Sequence, residues 1–159
     1  MKNIRTATAE DVGVLAALTI PVHQMHVEAQ PGIFKPLAAD NPDLLAFYEA
    51  ILADPDHMVL IAESDTKPIG YLVARYRRFM DNVFFHDHTA LNIDQISVAP
   101  DARGQGYGKQ LMQAILAVAK DQNLPYVVLD VWDFNTHARD FYLSLGFKAY
   151  HSRMYYHLD

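Results

Sequence analysis

The chain has 159 residues, of which 51% are hydrophobic and 20% charged, values typical of one folded globular domain spanning 1–159. Its net charge of -6 argues against nonspecific binding to nucleic acid, because such binding depends on clustered lysine and arginine. The chain has no cysteine, which excludes disulfides, thiolate metal ligands and a cysteine nucleophile.

The first third of the chain predicts one strand and two helices with a loop between the helices. Residues 2–7 form the predicted strand, and the stretch 9–11 opens the first helix. One side of this helix carries the apolar residues Leu15, Leu18 and Val22. Two prolines and a glycine within 27–40 interrupt the helical pattern and predict the loop. Asn41 then supplies an N-cap and Pro42 the first helical position, so a second helix follows.

The middle of the chain predicts an antiparallel meander. Segments 58–63, 69–79 and 90–98 are apolar and rich in residues that favour strands. Predicted turns at 66–68 and near 81–82 separate these segments. Strands joined by short turns pair in antiparallel fashion, so we expect the three segments to be neighbours in one sheet.

The third of these strands changes the phase of its alternation. Leu91 and Ile93 lie on one face of a regular strand. Ile96 and Val98 lie on the opposite face, so one inserted residue is needed to bury all four on the same side. A β-bulge near Asp94 and Gln95 would achieve this and could free backbone groups of Ile96 and Val98 for an extended ligand. A strand buried on both faces needs no bulge and remains the alternative.

A glycine-rich loop stands directly before a predicted helix over 108–123. The loop consists of Arg103, Gly104, Gln105, Gly106, Tyr107, Gly108 and Lys109. Glycine lacks the Cβ atom that would oppose a turn with positive φ, so several N–H groups can point at one anion. The N-terminus of the helix adds a partial positive charge, and together these features predict a diphosphate site.

Two familiar glycine motifs do not fit this loop. A Walker A loop requires glycine where Arg103 stands, and Ser or Thr where Gln110 stands. The dinucleotide fingerprint requires a third glycine where Lys109 stands. A nucleotide-binding phosphotransferase is therefore disfavoured.

The last part of the chain predicts a strand over 126–132, a helix over 136–145 that ends at Gly146, and a final strand over 147–157. The helix has a sheet-facing stripe at i, i+3, i+4 and i+7, formed by Ala138, Phe141, Tyr142 and Leu145. A tyrosine on such a stripe is often only a core residue. The complete predicted order is β-α-α-β-β-β-α-β-α-β.

Two segments carry a resemblance to a known family. Residues 103–108 match the pattern Arg/Gln-x-x-Gly-x-Gly/Ala, which resembles the acyl-coenzyme A loop of the GNAT superfamily of N-acetyltransferases. Residues 135–147 are also similar to that family, with an asparagine after the fifth strand and a helix that bears alanine, an aromatic residue and tyrosine before Gly-Phe. The resemblance implies an α+β fold, an α/β/α sandwich around a mixed, mainly antiparallel central sheet with a bulged strand at 90–98.

The resemblance also implies a reaction and a set of residues. The donor would be acetyl-CoA, and the acetyl group would pass to an amine by direct attack in a ternary complex. The loop 103–109 would bind the diphosphate, the backbone of Ile96 and Val98 would bind the pantetheine arm, and Asn135 would contact that arm. Tyr142 would protonate the departing thiolate.

An ammonium acceptor must lose a proton before it can attack. Asp94 is the first candidate for the base, because it lies beside the expected bulge, although an aspartate of an edge strand that faces solvent is an equal alternative. Family members often place an acid one or two positions earlier, where this chain has Asn92 and Ile93. Glu28 and His26 are further candidates that would act through water.

The acceptor itself is not decoded by a motif. Phe34, Phe84 and Phe85 indicate an apolar wall, loop anchors or a homodimer contact. A small polyamine-like or aminoglycoside-like amine and a peptide N-terminus all fit the acidic charge, and a noncatalytic acyl-CoA binding domain is the alternative function. His86 and His88 have strand-like spacing but no third ligand, so no metal is expected. Without an apolar leader or membrane-length segment, we expect a cytoplasmic protein with no membrane or nucleic-acid partner.

Overall fold

The computed structural model describes residues 2–158. The strands are β1 (Lys2–Thr6), β2 (His57–Ser64), β3 (Lys67–Phe79), β4 (His88–Val98) and β5 (Tyr126–Leu129). The helices are α1 (Val12–Ala29), α2 (Pro42–Ala53), α3 (Tyr107–Asp121) and α4 (Thr136–Ser144). Short 3-10 turns at Ala9–Asp11 and Pro100–Ala102 precede α1 and the glycine-rich loop.

The five strands form one sheet in the order β1-β2-β3-β4-β5. The first four strands are antiparallel neighbours, and β5 runs parallel to β4. The predicted mixed, mainly antiparallel sheet is confirmed. In the β3–β4 ladder Val73 lies opposite Gln95 and Ala74 lies opposite Ile93, so Asp94 is the inserted residue. The predicted bulge is therefore confirmed at Asp94.

Helices cover both faces of the sheet, which confirms the predicted α/β/α sandwich. α1 and α2 pack on one face through the core residues Leu15, Ala16, Leu44, Tyr48 and Ile51. α3 packs on the other face through Leu111, Met112, Ile115 and Ala119, and α4 packs beside it through Phe141, Tyr142 and Leu145. None of the helices within 2–158 combines the length and apolar character that spanning a membrane requires.

The start of α2 follows the predicted cap. The side-chain oxygen of Asn41 accepts the backbone N–H of Asp43 at 2.9 Å and of Leu44 at 3.3 Å. Pro42 occupies the first helical position, where a missing N–H costs no hydrogen bond. The cap and the proline therefore set the point where the second helix begins.

α1 is longer than predicted. It continues to Ala29, so the irregular segment begins at Gln30 rather than at residue 27. Pro21 lies inside the helix and removes one backbone hydrogen bond, but packing of the helix on the sheet compensates for that loss. The buried residues of α1 are Leu15, Ala16 and Thr19, whereas Leu18 and Val22 are half-buried.

The first hairpin turn is also shorter than predicted. Asp65 and Thr66 both have positive φ, at 48° and 72°, as in a two-residue turn with the twist that suits a hairpin. The prediction had placed this turn at 66–68. Lys67 instead opens β3, opposite Ser64.

The predicted final strand over 147–157 is wrong, because these residues have no regular secondary structure. β5 ends at Leu129 instead of residue 132, and its ladder with β4 is only four residues long. A strand exists only with a hydrogen-bonded neighbour, so residue propensity alone did not suffice. The large side chains of this segment are exposed, among them Tyr150, Met154, Tyr155, Tyr156 and Leu158.

An ion-paired cluster joins the first strand to the start of α1. Arg5 donates two hydrogen bonds of 2.8 Å to Asp11 and one of 2.6 Å to Glu63. The backbone N–H of Thr8 also donates to Asp11, at 2.7 Å. The hydrogen bonds from Arg5 and Thr8 favour the ionised carboxylate and hold the pKa of Asp11 at about 2.

Candidate active site

A gap opens between β4 and β5 at the bulge. The parallel ladder joins Ala90 to Tyr126 at one end and Ile93 to Leu129 at the other. Past Ile93, β4 continues to Val98 with β3 as its only described ladder partner. The bulged residue Asp94 stands where the β5 ladder stops, so the bulge marks the place at which the two strands separate.

Backbone groups of β4 point into this gap. The N–H of Ala99 donates to Ile69 on β3 at 2.7 Å. Because successive residues of an antiparallel strand alternate in direction, Ser97 directs its backbone towards β3, whereas Ile96 and Val98 direct theirs away from β3. The two residues predicted to meet an extended ligand therefore present their main-chain groups to the gap.

The glycine-rich loop continues directly from this strand. Gly104 and Gly106 have positive φ, at 74° and 87°, a region that side chains with a Cβ atom disfavour. A Cβ atom added at Gly104 would meet nothing within 4 Å, so the space above the loop is open. Arg103 donates from Nε to the carbonyl of Val98 at 3.1 Å, and Gln105 donates to the carbonyl of Asp101 at 3.1 Å.

The N-terminus of α3 lacks a side-chain cap. Its first backbone hydrogen bond runs from Gln110 to the carbonyl of Gly106 at 3.1 Å. The N–H groups of residues 108 and 109 precede that bond and have no acceptor within the helix. Tyr107 buries its side chain in the core, whereas Lys109 is exposed at the loop. Free N–H groups, open space and an exposed cation are the features that an anionic diphosphate requires, so the residues present fit that group.

α4 lies close to this N-terminus. A Cβ atom at Gly108 would stand 3.4 Å from the Phe141 ring, so the small residue allows the approach of the two helices. Asn135 caps α4 by accepting the N–H of Ala138 at 3.1 Å. Its side-chain oxygen is therefore engaged in the helix cap, and its amide nitrogen is the group that can donate to a ligand. Gly146 has a φ of 92° after the end of α4, as predicted.

Tyr142 lies half-buried on the α3 face of the sheet. Its ring packs against Phe141 and Phe147 with centroid distances of 5.4 and 6.0 Å. Burial disfavours the phenolate and raises the pKa of Tyr142 to about 12. The raised pKa keeps the hydroxyl protonated at neutral pH. The hydroxyl forms no hydrogen bond to any residue within 2–158, so it is available as a donor.

The carboxylate of Asp94 lies on the β3 side of the bulge. It accepts a hydrogen bond of 2.6 Å from Asn92 and forms an ion pair of 3.1 Å with Arg75 of β3. His57 of β2 lies 4.0 Å away, and 26% of the Asp94 side chain is exposed. Arg75 and His57 belong to strands on the opposite side of β4 from β5, whereas Asn92 belongs to β4 itself. A cavity of about 410 Å³ opens beside it, below the end of α2.

A polar network holds α1 and α2 to the strand next to the bulge. Gln95 accepts hydrogen bonds from Tyr48 at 2.7 Å and from Tyr71 at 3.0 Å. Thr19 of α1 contacts both tyrosine hydroxyls. Burial raises the pKa of both tyrosines, so both are neutral donors. Sequence reasoning missed this network because its members lie on four separate elements.

Two further residues on β3 and β4 escaped the sequence reasoning. Ser97 is buried on the α1 face, and its hydroxyl has no hydrogen-bond partner within the described chain. Gly70 lies opposite Val98, and a Cβ atom there would stand 2.9 Å from the carbonyl oxygen of Ser97. Glycine at this position therefore preserves the path of the strand whose backbone lines the gap.

An aromatic cluster lies at the C-terminal part of α1. It consists of His23, His26, Phe34, Trp132 and Phe134. Phe34 lies 5.1 Å from the rings of both His26 and Trp132, edge to face. The segment that follows α1 thereby contacts the segment that follows β5. Of the sequence candidates, Phe34 and His26 belong to this cluster, whereas Phe84 and Phe85 lie exposed in the loop between β3 and β4.

The histidine pair considered as a metal site is arranged differently. His88 donates from Nδ1 to the carbonyl of His86 at 2.7 Å, and its ring stacks on Phe79 at 4.6 Å. Within 2–158 no three histidine, aspartate or glutamate side chains are grouped so as to hold a metal ion. The structure thus gives His88 a packing contact in the sheet.

Comparison with known proteins agrees with this geometry. Residues 21–147 match the model of the acetyltransferase (GNAT) family. Human N-acetyltransferase 8B is 32% identical over 112 residues, which cover 70% of this chain and 46% of that protein. Bovine thialysine N-epsilon-acetyltransferase is 28% identical over 110 residues, which cover 69% of this chain and 61% of that protein. The matched region is thus only about half to three fifths of these relatives.

Solved structures share the whole fold. A tetramutant of the BH1408 protein of Bacillus halodurans is 27% identical, covers 98% of this chain and 99% of its own, and superposes with a TM-score of 0.92. An aminoglycoside N-acetyltransferase in complex with CoA is 22% identical, covers 99% of this chain and 95% of its own, and has a TM-score of 0.74. Because the family model matches more than half of its residues, the chain belongs to the GNAT family of acetyltransferases.

Proposed function

We propose that the protein transfers the acetyl group of acetyl-CoA to a primary amine of a small molecule or peptide. The observation that carries this proposal is a row of main-chain N–H groups that point away from β3 and precede the first hydrogen bond of α3. It runs from Ile96 and Val98 in the gap to residues 108 and 109 at the uncapped start of α3, a helix that begins four residues after Arg103. Such a row suits a ligand with an extended amide-bearing arm at one end and a diphosphate at the other.

The donor, acetyl-CoA, binds along this row of main-chain groups. The diphosphate binds the loop 103–109, through the backbone N–H groups and the cations Arg103 and Lys109. The pantetheine arm extends β4 as a further strand against Ile96 and Val98, and Asn135 contacts it from the start of α4. A backbone N–H freed beside the bulge, such as that of Val98, polarises the thioester carbonyl.

Transfer proceeds by direct attack in a ternary complex. The chain has no cysteine to carry an acyl group, so the amine itself attacks the thioester. Tyr142 donates a proton to the departing thiolate. Because burial raises the pKa of Tyr142 to about 12, well above that of a thiol near 8.5, this help is modest and depends chiefly on position.

The acceptor is cationic before it reacts. The net charge of -6 favours the approach of an ammonium group. Relatives carry names that specify thialysine, peptidyl-lysine and aminoglycosides as acceptors, and all of these are primary amines. Asp94, ion-paired yet partly exposed, is the sequence-based candidate for the base and contributes negative charge beside the gap.

A panel of amines tests the proposal. Purified protein with acetyl-CoA is offered polyamines, aminoglycosides and peptides with free N-termini or lysine, while released thiol is measured. We expect thiol release that depends on one class of amine and matches formation of its amide. Binding of acetyl-CoA in calorimetry without thiol release across the panel would instead favour a noncatalytic acyl-CoA binding domain. The cytoplasmic location and the homodimer remain predictions.

A further inference from the structure

On the face opposite α3, α1 packs over β3 and β4, and its C-terminal part contacts the segment after β5. Near the middle of the helix, Thr19 contacts two tyrosine hydroxyls that bind Gln95 of β4. Seven residues further, or about 10 Å along the helix, the ring of His26 lies 5.4 Å from Phe134, beyond the end of β5. His26 and Thr19 share the sheet-facing side of the helix, so His26 lies over the gap.

The hydrogen bonding of His26 defines which of its nitrogens can accept a proton. Nδ1 lies 2.7 Å from the carbonyl oxygen of Val22 in the preceding turn. A carbonyl oxygen can only accept, so Nδ1 must carry the hydrogen. The neutral ring therefore has its lone pair on Nε2, at the edge of the ring away from the helix backbone.

His23, one turn earlier, has the opposite arrangement. Its Nε2 lies 2.7 Å from the carbonyl oxygen of Lys35 and must donate to it. The outer nitrogen of His23 thus anchors the segment after α1, whereas the outer nitrogen of His26 is left with its lone pair. Both rings contact Phe34, which makes His23 a matched control for His26.

Asp94 is placed less favourably than His26. Its two oxygens bind Asn92 of β4 and Arg75 of β3, so both are already engaged. The aromatic cluster around His26, in contrast, borders the gap itself.

We propose that His26 is the general base that deprotonates the acceptor ammonium, an inference that rests on the proposed acetyl transfer. Nε2 takes one proton from the ammonium, and the freed lone pair of the amine forms the bond to the acetyl carbon. The bond from that carbon to sulfur breaks, and the thiolate takes a proton from Tyr142, which solvent replenishes. The nitrogen now bonded to the acetyl carbon releases its second proton to solvent, and His26 returns the first proton to solvent. Because solvent gives one proton back to Tyr142, the products are amide, CoA thiol and one proton.

The charged neighbours of His26 come from three elements. On α1 these are His23 and Glu28, and Gln24 donates to Glu28 at 3.0 Å. Lys35 follows Phe34 in the segment after α1. Asp133 precedes Phe134, is 98% exposed and pairs with Arg139 at 3.2 Å. None of these groups forms a described hydrogen bond to the ring of His26, whose described hydrogen bond runs to the carbonyl of Val22.

Nitrogen-15 NMR of the histidine side chains tests the tautomer without any acceptor. The His26 signals are assigned by their loss in His26→Gln, and those of His23 by their loss in His23→Gln. We expect the Nδ1–H form for neutral His26 and the Nε2–H form for His23. An Nε2–H form of His26, or a ring that stays protonated across the pH range of activity, would overturn the inference.

Kinetics with the acceptor found in the amine panel test the role. We expect His26→Gln to lower kcat/KM by about 100-fold and to remove the decline of the rate at low pH, while the affinity for CoA is unchanged. His23→Gln and Asp94→Asn should retain that pH profile. If His26→Gln retains the decline of the rate at low pH, or if only Asp94→Asn loses it, His26 is not the general base.

The two proposals fail in different ways. If wild-type protein binds no CoA or releases no thiol with any amine, the acetyl transfer itself is wrong, whatever the His26 tautomer. If wild-type protein acetylates an amine and His26→Gln does so equally well at every pH, only the assignment of the base is wrong.

Discussion

The two halves of the candidate site are built in different ways. The donor half is one continuous segment, 96–109, and it offers mainly backbone groups. The acceptor half is the aromatic cluster with Asp94 nearby, and it draws side chains from α1, the segments after α1 and β5, and the bulge. The donor half lies at the start of α3, whereas the cluster covers the opposite face of the gap.

This contrast has a physical cause. Backbone N–H groups are the same in every residue, so a backbone site depends only on local φ and ψ angles, which Gly104 and Gly106 specify. A side-chain site depends on which distant segments meet, and substitutions in those segments can change it without disturbing the sheet. We therefore expect the donor to be common to such folds and the acceptor to be particular to each chain.

The largest expected effect is on the donor half. Gly106→Asp places a carboxylate in the predicted diphosphate site, and repulsion at close range should weaken CoA binding by about 100-fold. Gly106→Asn is the matched control, because it tolerates the same positive φ and adds no charge. Calorimetry measures both. If Gly106→Asp and wild type bind CoA with equal affinity, the loop does not bind the diphosphate.

A smaller effect is expected on the acceptor half. Trp132 is 41% exposed and contacts Phe34 and Phe134, so Trp132→Ala should raise the acceptor KM by about tenfold and leave CoA affinity unchanged. Phe84→Ala in the loop between β3 and β4 is the comparison. If Phe84→Ala raises the KM and Trp132→Ala does not, the acceptor binds at that loop instead.

Tyr142 lies between the two halves and should have a modest effect. We expect Tyr142→Phe to lower kcat by less than about tenfold, because its high pKa makes it a poor acid for a thiolate. The raised pKa keeps the hydroxyl protonated up to about pH 12, so the loss should be the same at every working pH. A loss confined to alkaline pH, in rate profiles of both proteins, would contradict this role.

The ion-paired cluster of Arg5, Asp11 and Glu63 lies outside both halves and should affect only stability. Asp11→Asn removes the charge that accepts from Arg5 and should lower the free energy of unfolding by about 1–3 kcal/mol at pH 7. Because the pKa of Asp11 is lowered from 3.8 to about 2, its contribution is present above pH 4 and is lost as the pH falls towards 2.

Denaturant unfolding at several pH values measures this change. The difference between wild type and Asp11→Asn should narrow as the pH falls below 4. Asp133→Asn is the control, since the Asp133 side chain is 98% exposed and its pair with Arg139 should add nothing measurable. A difference that persists unchanged at low pH would mean that the ionised carboxylate is not the stabilising group.

Much of the fold was predictable because it depends on local patterns. The change of phase between Ile93 and Ile96 predicted the bulge, and Asn41 predicted the start of α2. The final strand over 147–157 could not be excluded from residue types, because a strand also requires a partner edge. The continuation of α1 past residue 27 was missed because Pro31, Gly32 and Pro36, which predicted the loop over 27–40, all come after the last residue of the helix, Ala29.

The sequence by itself determined the antiparallel meander, the bulge, the glycine-rich loop and the family, since each depends on the residues of a short segment or on their periodicity. Only the tertiary structure decided which way Asp94 faces, which tautomer His26 adopts and which aromatic rings border the gap. These features arise from contacts between residues far apart in the chain. No local pattern records such contacts, because they form only when the helices pack on the sheet.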